Sequence, residues 1–172
     1  LSTRKIENMI EMMDYVDERF ELYLMLMNNN KKYYTKLNEL AKTRSNVFFI
    51  PSVPTDEIVT FSSKFDIGLY ILEPTNFNNA NALPNKFFEF IQSRLAIAIG
   101  PSPEMKKIIE HSKNGIVAND FTPKDLANKL NNLTSEEIDI MKQNSHTLAN
   151  DLNATKNMQI LEQEIERLIS NK

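Results

Sequence analysis

The 172-residue sequence contains no cysteine and only three glycines, Gly68, Gly100 and Gly115. Without cysteine, disulfides, thiolate zinc sites, iron–sulfur clusters and cysteine nucleophiles are excluded. Glycines this far apart form neither a P-loop nor the G-x-G-x-x-G turn that binds dinucleotides. The composition therefore excludes two common nucleotide-binding motifs and a large group of metal sites.

Long apolar runs and a dominant charge sign are also absent. No run approaches the roughly 18 residues that span a bilayer, and the N-terminus lacks a signal-peptide pattern. The 20 Lys and Arg residues nearly balance 23 Asp and Glu residues, which gives a net charge of -3. This charge gives no reason to expect a nucleic-acid partner or an anionic membrane. We expect a soluble domain with one core in a reducing cytoplasm.

Strand-sized apolar runs alternate with helical patterns along residues 1–133. The predicted strands are Glu21–Met27, Asn46–Ile50, Asp66–Leu72, Leu95–Gly100 and Gly115–Ala118. Five strand–helix units in a row predict an α/β fold, with a parallel sheet covered by helices on both faces. After residue 133 the pattern is only helical, so we divide the chain into an α/β domain, 1–133, and a C-terminal helical segment, 134–172. Thr134 and Glu137 have the spacing of a capping box at the start of that segment.

The segment after the third predicted strand is the first candidate for a site. Parallel sheets bind ligands at the carboxyl ends of their strands. Glu73–Leu83 is a long polar segment, predicted as a loop, and a helix is predicted to begin at Pro84, an accepted first-turn residue. Two interpretations of Lys86 and Glu89 are open. They form an exposed ion pair three residues apart, or Lys86 binds an anion at the helix start and Glu89 accepts hydrogen bonds from sugar hydroxyls.

Three stretches carry a resemblance to a known family: Ser63–Leu69, Leu83–Phe90 and Leu95–Ile99. In this order they resemble the donor-binding half of GT-B glycosyltransferases of the family-four type, glycosyl transferases group 1. The resemblance covers nearly the whole chain, and the Pro84–Glu89 block is its most specific part. It implies a Rossmann-like domain that is one half of a GT-B fold. Because the chain opens with Leu1 rather than Met, we expect a piece of a longer protein, with a first strand upstream.

The resemblance implies roles for residues around the predicted helix start. In that family, a carboxylate at the position of Glu89 binds the donor ribose, and Asn81 stands where a first glutamate contacts the transferred sugar. The same comparison implies that Leu83, Asn85 and Lys86 contact the donor. Glu73 is interpreted as a solvated loop carboxylate, with sugar binding as the alternative.

Further donor contacts are implied at the N-terminus and after the second strand. Lys5 matches a family lysine that grips the donor diphosphate, with Arg4 as its neighbour, and the family's arginine would precede Leu1. Contacts to the nucleobase are implied near Pro51 and Ser52. The residues do not distinguish UDP, GDP and ADP.

The resemblance implies a retaining hexosyl transfer from a nucleotide-diphospho-sugar in polysaccharide or glycoconjugate biosynthesis. No cofactor and no metal are expected: the sequence has no Asp-x-Asp triplet, and His111 and His146 match no ligand spacing. The acceptor site would belong to a missing N-terminal domain, and any peripheral membrane association would occur through that domain. The fragment alone is expected to be inactive.

We consider three alternative functions for the same alternation of strands and helices. One is a non-catalytic binding or interaction domain with a decayed nucleotide-sugar site. A second is a signalling domain like a response regulator, but Asn28, Asn29 and Asn30 follow the first strand where acidic residues would be needed. A third is a serine hydrolase, which lacks its Gly-x-Ser-x-Gly elbow here.

Overall fold

The computed structural model describes residues 5–170, which form five strands and nine α-helices. The strands are β1 Leu22–Met25, β2 Val47–Ile50, β3 Ile67–Tyr70, β4 Ala96–Ile99 and β5 Gly115–Val117. The helices are α1 Ile6–Met12, α2 Lys31–Ala41, α3 Ile58–Ser62, α4 Phe77–Ala80, α5 Asn85–Gln92, α6 Pro103–Ser112, α7 Pro123–Asn131, α8 Ser135–Ala149 and α9 Ala154–Ser170. Each strand lies within its predicted segment, so the alternation of strands and helices is confirmed.

Every strand pair is parallel, and the pairs form two hydrogen-bonded groups. One group is β1–β2, and the other is β3–β4–β5. Within residues 5–170, no strand pairs with the second edge of β1 or with the second edge of β3. The parallel arrangement is confirmed, whereas the single continuous sheet is not. Sequence periodicity gives the order of strands along the chain but not which strands become neighbours.

Helices cover both faces of the sheet around β4. Successive strand residues point to opposite faces, and β4 places Ala98 in one hydrophobic cluster and Ile97 and Ile99 in the other. The first cluster takes residues from α1, α2 and α7, among them Ile10, Leu37 and Leu126. The second takes residues from α5, α6 and α8, among them Phe87, Met105 and Ala149. The predicted coverage of both faces is therefore confirmed.

The C-terminal helices differ in how they are anchored. Thr134 and Glu137 form the predicted capping box of α8. Ser145 on α8 is fully buried; its hydroxyl donates to the Leu95 carbonyl at 2.6 Å and accepts from Asn114 Nδ2 at 3.0 Å. On α9, by contrast, five apolar side chains are between 46% and 69% exposed, namely those of Met158, Leu161, Ile165, Leu168 and Ile169. Thus α8 is part of the core, whereas α9 presents apolar surface.

Candidate functional site

The segment between β3 and α5 contains a short helix that the sequence analysis did not predict. The Asn76 side chain caps α4 by accepting a hydrogen bond from the Asn79 backbone N–H at 2.8 Å. Asn81 is the C-cap residue of α4, and its side-chain amide donates to the Phe77 carbonyl at 3.0 Å. The prediction of a loop through Glu73–Leu83 is therefore wrong over α4. The signal that could have found it is an asparagine at an N-cap position, a residue type that caps helices well.

The start of α5 is one residue later than predicted. Pro84 is the N-cap residue, with an extended backbone at φ -75° and ψ 149°, and the helix begins at Asn85. The proline ring fixes φ but leaves ψ free, so Pro84 could equally precede a helix or begin one. Among residues 5–170, no side chain makes a capping hydrogen bond at this end of α5. Phe87 and Ile91 are fully buried and fix the helix against the core.

A cavity of about 420 Å³ opens at the N-terminus of α5. It is lined by Tyr70, Leu83, Pro84, Asn85, Lys86 and Glu89. Four residues implied by the family resemblance thus lie together: Leu83, Asn85, Lys86 and Glu89. Lys86 and Glu89 are half-buried there. Tyr70, the last residue of β3, also lines the cavity. The sequence analysis did not single it out, because no local pattern shows that β3 ends beside α5.

The electrostatics of the cavity suit a ligand that carries both anionic and hydroxyl groups. Helix N-termini have a partial positive charge and backbone N–H groups that bind anions. Lys86 adds a full positive charge in the first turn of α5. Glu89, one turn further along the helix, supplies carboxylate oxygens that accept hydrogen bonds from hydroxyl groups.

Lys5 lies at the start of α1, outside the cavity lining. Its backbone is left-handed, with φ 43°. Its ammonium donates to Glu73 Oε2, while Asn8 Nδ2 donates to Glu73 Oε1 at 2.9 Å. The side chain of Glu73 is only 25% exposed, so the interpretation of Glu73 as a solvated loop carboxylate is wrong. Glu73 follows buried Leu72, and Lys5 and Asn8 take the place of part of the water that would hydrate its carboxylate.

Tyr33 supports the same end of α1 from α2. Its hydroxyl accepts from the Ile6 backbone N–H at 3.1 Å and donates to the Glu7 carboxylate. Burial and the hydrogen bond to Glu7 raise the pKa of Tyr33 to about 12. Burial alone would raise the pKa of Glu7, but hydrogen bonds from Tyr33 and Lys36 outweigh it and lower that pKa. Sequence reasoning did not find this network, because it joins residues 27 positions apart.

The remaining residues implied by the resemblance lie elsewhere. Asn81 is exposed and is not among the residues that line the cavity. Pro51 and Ser52 are exposed in the segment that follows β2. Arg4 lies outside the described residues. The cavity lining therefore contains the implied donor residues at the start of α5, whereas Asn81, Pro51 and Ser52 are not part of it.

In residues 5–170 no helix is both long enough and apolar enough to cross a membrane. Over that same range, no group of three or more His, Asp or Glu side chains is placed to hold a metal ion.

The fold of the chain, but not its sequence, matches known proteins. No protein-family model and no curated protein matches the sequence. Among solved structures, Anabaena Alr3699/HepE in complex with UDP-glucose matches with a TM-score of 0.75 and 14% identity over 96% of this chain. The same protein in complex with UDP and glucose matches with a TM-score of 0.73 and 16% identity over 95%. WaaG, a glycosyltransferase involved in lipopolysaccharide biosynthesis, matches with a TM-score of 0.66 and 17% identity over 88%.

The chain has the fold of one half of a GT-B glycosyltransferase. The resemblance that the Pro84–Glu89 block indicated is thus confirmed for the fold. The chain spans less than half of each matched protein: 46% and 45% of the two HepE chains and 40% of WaaG.

Proposed function

We propose that this GT-B half binds the donor of a retaining, metal-independent glycosyltransferase, and that the donor is a nucleotide-diphospho-sugar. The observation that carries the proposal is the cavity at the N-terminus of α5, where Lys86 and Glu89 meet an uncapped helix end. HepE, which has a similar fold, was crystallised with UDP-glucose. That complex supports a nucleotide-sugar as the class of ligand.

The proposed binding mode assigns separate roles to Glu89 and to the positively charged start of α5. Glu89 accepts hydrogen bonds from the ribose hydroxyls, and a charged acceptor makes such bonds about twice as strong as neutral ones. The backbone N–H groups at the start of α5 and the Lys86 ammonium bind the diphosphate. Leu83 and Asn85 line the cavity beside these groups.

The chemistry follows from stabilisation of the leaving group. When the bond between the sugar and the diphosphate breaks, negative charge develops on the diphosphate oxygens. Cations and oriented N–H groups placed there stabilise the transition state more than the ground state. In this proposal Lys5 joins Lys86 in that role, and Asn81 contacts the transferred sugar with its amide.

The proposed whole enzyme needs a second half, which supplies the acceptor site. It transfers a hexosyl group in polysaccharide or glycoconjugate biosynthesis in the cytoplasm, and contacts a membrane only through the acceptor-binding half. WaaG, a glycosyltransferase of similar fold, is involved in lipopolysaccharide biosynthesis, which supports this kind of pathway. The half described here binds donor without turnover.

Calorimetric titration with UDP, GDP and ADP tests the proposal, with Glu89→Ala as the test variant. We expect one nucleotide to bind saturably. Glu89→Ala should weaken the binding of that nucleotide roughly 10- to 150-fold, since hydrogen bonds to a charged group contribute about 1.5–3 kcal/mol. Glu110→Ala is the matched control, because Glu110 is an exposed helical carboxylate that pairs with Lys106 on α6. Equal losses in both variants would contradict the proposed role of Glu89.

A second candidate is a non-catalytic domain with a decayed nucleotide-sugar site. The observation that favours it is Asn81, which replaces the implied glutamate and uses its amide within α4. This candidate predicts no binding of any of the three nucleotides up to millimolar concentration.

A further inference from the structure

Glu73 joins two segments that are far apart in sequence. It follows β3 directly after buried Leu72, while both of its hydrogen-bond donors, Lys5 and Asn8, belong to the start of α1. The Glu73 side chain is 25% exposed and that of Lys5 is 45% exposed. Two donors therefore hold the carboxylate in place, and the Lys5 side chain remains partly exposed to solvent.

This arrangement leaves Lys5 able to bind a second anion. An ammonium group has three N–H donors and no acceptor, and Glu73 occupies one of them. Lysine has a flexible four-carbon stem, so an unpaired lysine samples many positions. Protein kinases hold their phosphate-binding lysine with a glutamate in the same way. The left-handed backbone of Lys5 is a conformation that persists only where the surroundings impose it.

We propose that Glu73 is a positioning residue, which holds the Lys5 ammonium ready for the diphosphate of the donor. Asn8 in turn fixes the carboxylate through Oε1. The inference rests on the proposed function, since it assigns Lys5 to the diphosphate. Glu73 acts on the donor only through Lys5, whereas Lys86 and Glu89 are proposed to contact the donor directly.

The test is a titration by NMR of the chain and three variants: Glu73→Gln, Lys5→Met and the double variant. Each is titrated with whichever of UDP, GDP and ADP binds most tightly, and with the corresponding nucleoside. We expect Glu73→Gln to weaken the nucleoside diphosphate roughly two- to fivefold, the range of a partly exposed ion pair. Affinity for the nucleoside should stay unchanged. In the Lys5→Met background, Glu73→Gln should have no further effect, because the two residues act as one unit.

Glu39→Gln is the matched control, since Glu39 pairs with Lys42 on the exposed surface of α2. Melting temperatures show whether each variant is folded. If Glu73→Gln leaves the diphosphate affinity unchanged or raises it, or weakens nucleoside and diphosphate equally, the positioning role is overturned. If the unaltered chain binds diphosphate and responds to Glu89→Ala but not to Glu73→Gln, the inference alone fails. If the unaltered chain binds none of the three nucleotides, the proposed function fails and the inference fails with it.

Discussion

Ser145→Ala tests how α8 is fixed to the sheet. The hydroxyl of Ser145 is fully buried and serves two partners, Asn114 Nδ2 at 3.0 Å and the Leu95 carbonyl at 2.6 Å. Alanine leaves both partners buried without that contact, and each unsatisfied group costs about 1–3 kcal/mol. We expect the free energy of unfolding to fall by about 2–6 kcal/mol. At about 3 °C per kcal/mol for a domain of this size, that lowers the melting temperature by roughly 6–18 °C.

Urea denaturation followed by circular dichroism measures the change. Thr147→Ala is the control: it lies on the same helix, and its hydroxyl bonds to the Gln143 carbonyl in an exposed position. That variant should stay within about 0.5 kcal/mol of the unaltered chain. Combining Ser145→Ala with Asn114→Ala should cost less than the sum of the two single changes. A Ser145→Ala variant within 0.5 kcal/mol of the unaltered chain would refute the reasoning.

Three further predictions concern the pH dependence of stability, the close packing at Gly115 and amide exchange at the strand edges. The pKa of the Tyr33 hydroxyl is about 12 in the folded chain and about 10 in the unfolded chain. The stability advantage over Tyr33→Phe is therefore present below pH 10 and lost by about pH 12, as measured by denaturation at several pH values. Gly115→Ala would place a Cβ 2.0 Å from the Ile97 carbonyl oxygen, so we expect a loss of about 1–3 kcal/mol, and unchanged stability would contradict this close approach. In hydrogen exchange, the amides of Tyr23 and Leu69 on the open strand edges should exchange faster than that of Leu24.

The sequence predicts the order and type of the main elements because local signals specify them. Apolar runs mark the strands, and Thr134 with Glu137 marks the start of α8 through a contact three residues away. The cavity residues around the start of α5 also lie close together in the sequence, because Leu83 through Glu89 form one continuous block.

Other features depend on long-range contacts that no local pattern encodes. The division of the strands into two groups is set by which edges meet in space. The contacts of Glu73 with Lys5 and of Tyr33 with Ile6 span 68 and 27 positions. Tyr70 enters the cavity because β3 ends beside α5, which its sequence position alone does not reveal.

The most direct test of the donor site is an NMR titration that follows the backbone amides of the chain as UDP, GDP or ADP is added. We expect saturable shifts for one nucleotide, concentrated at Asn85, Lys86 and Glu89 around the start of α5, and a strong reduction of these shifts in Glu89→Ala. Shifts confined to other parts of the chain, or none up to millimolar nucleotide, would contradict a donor site at this helix end.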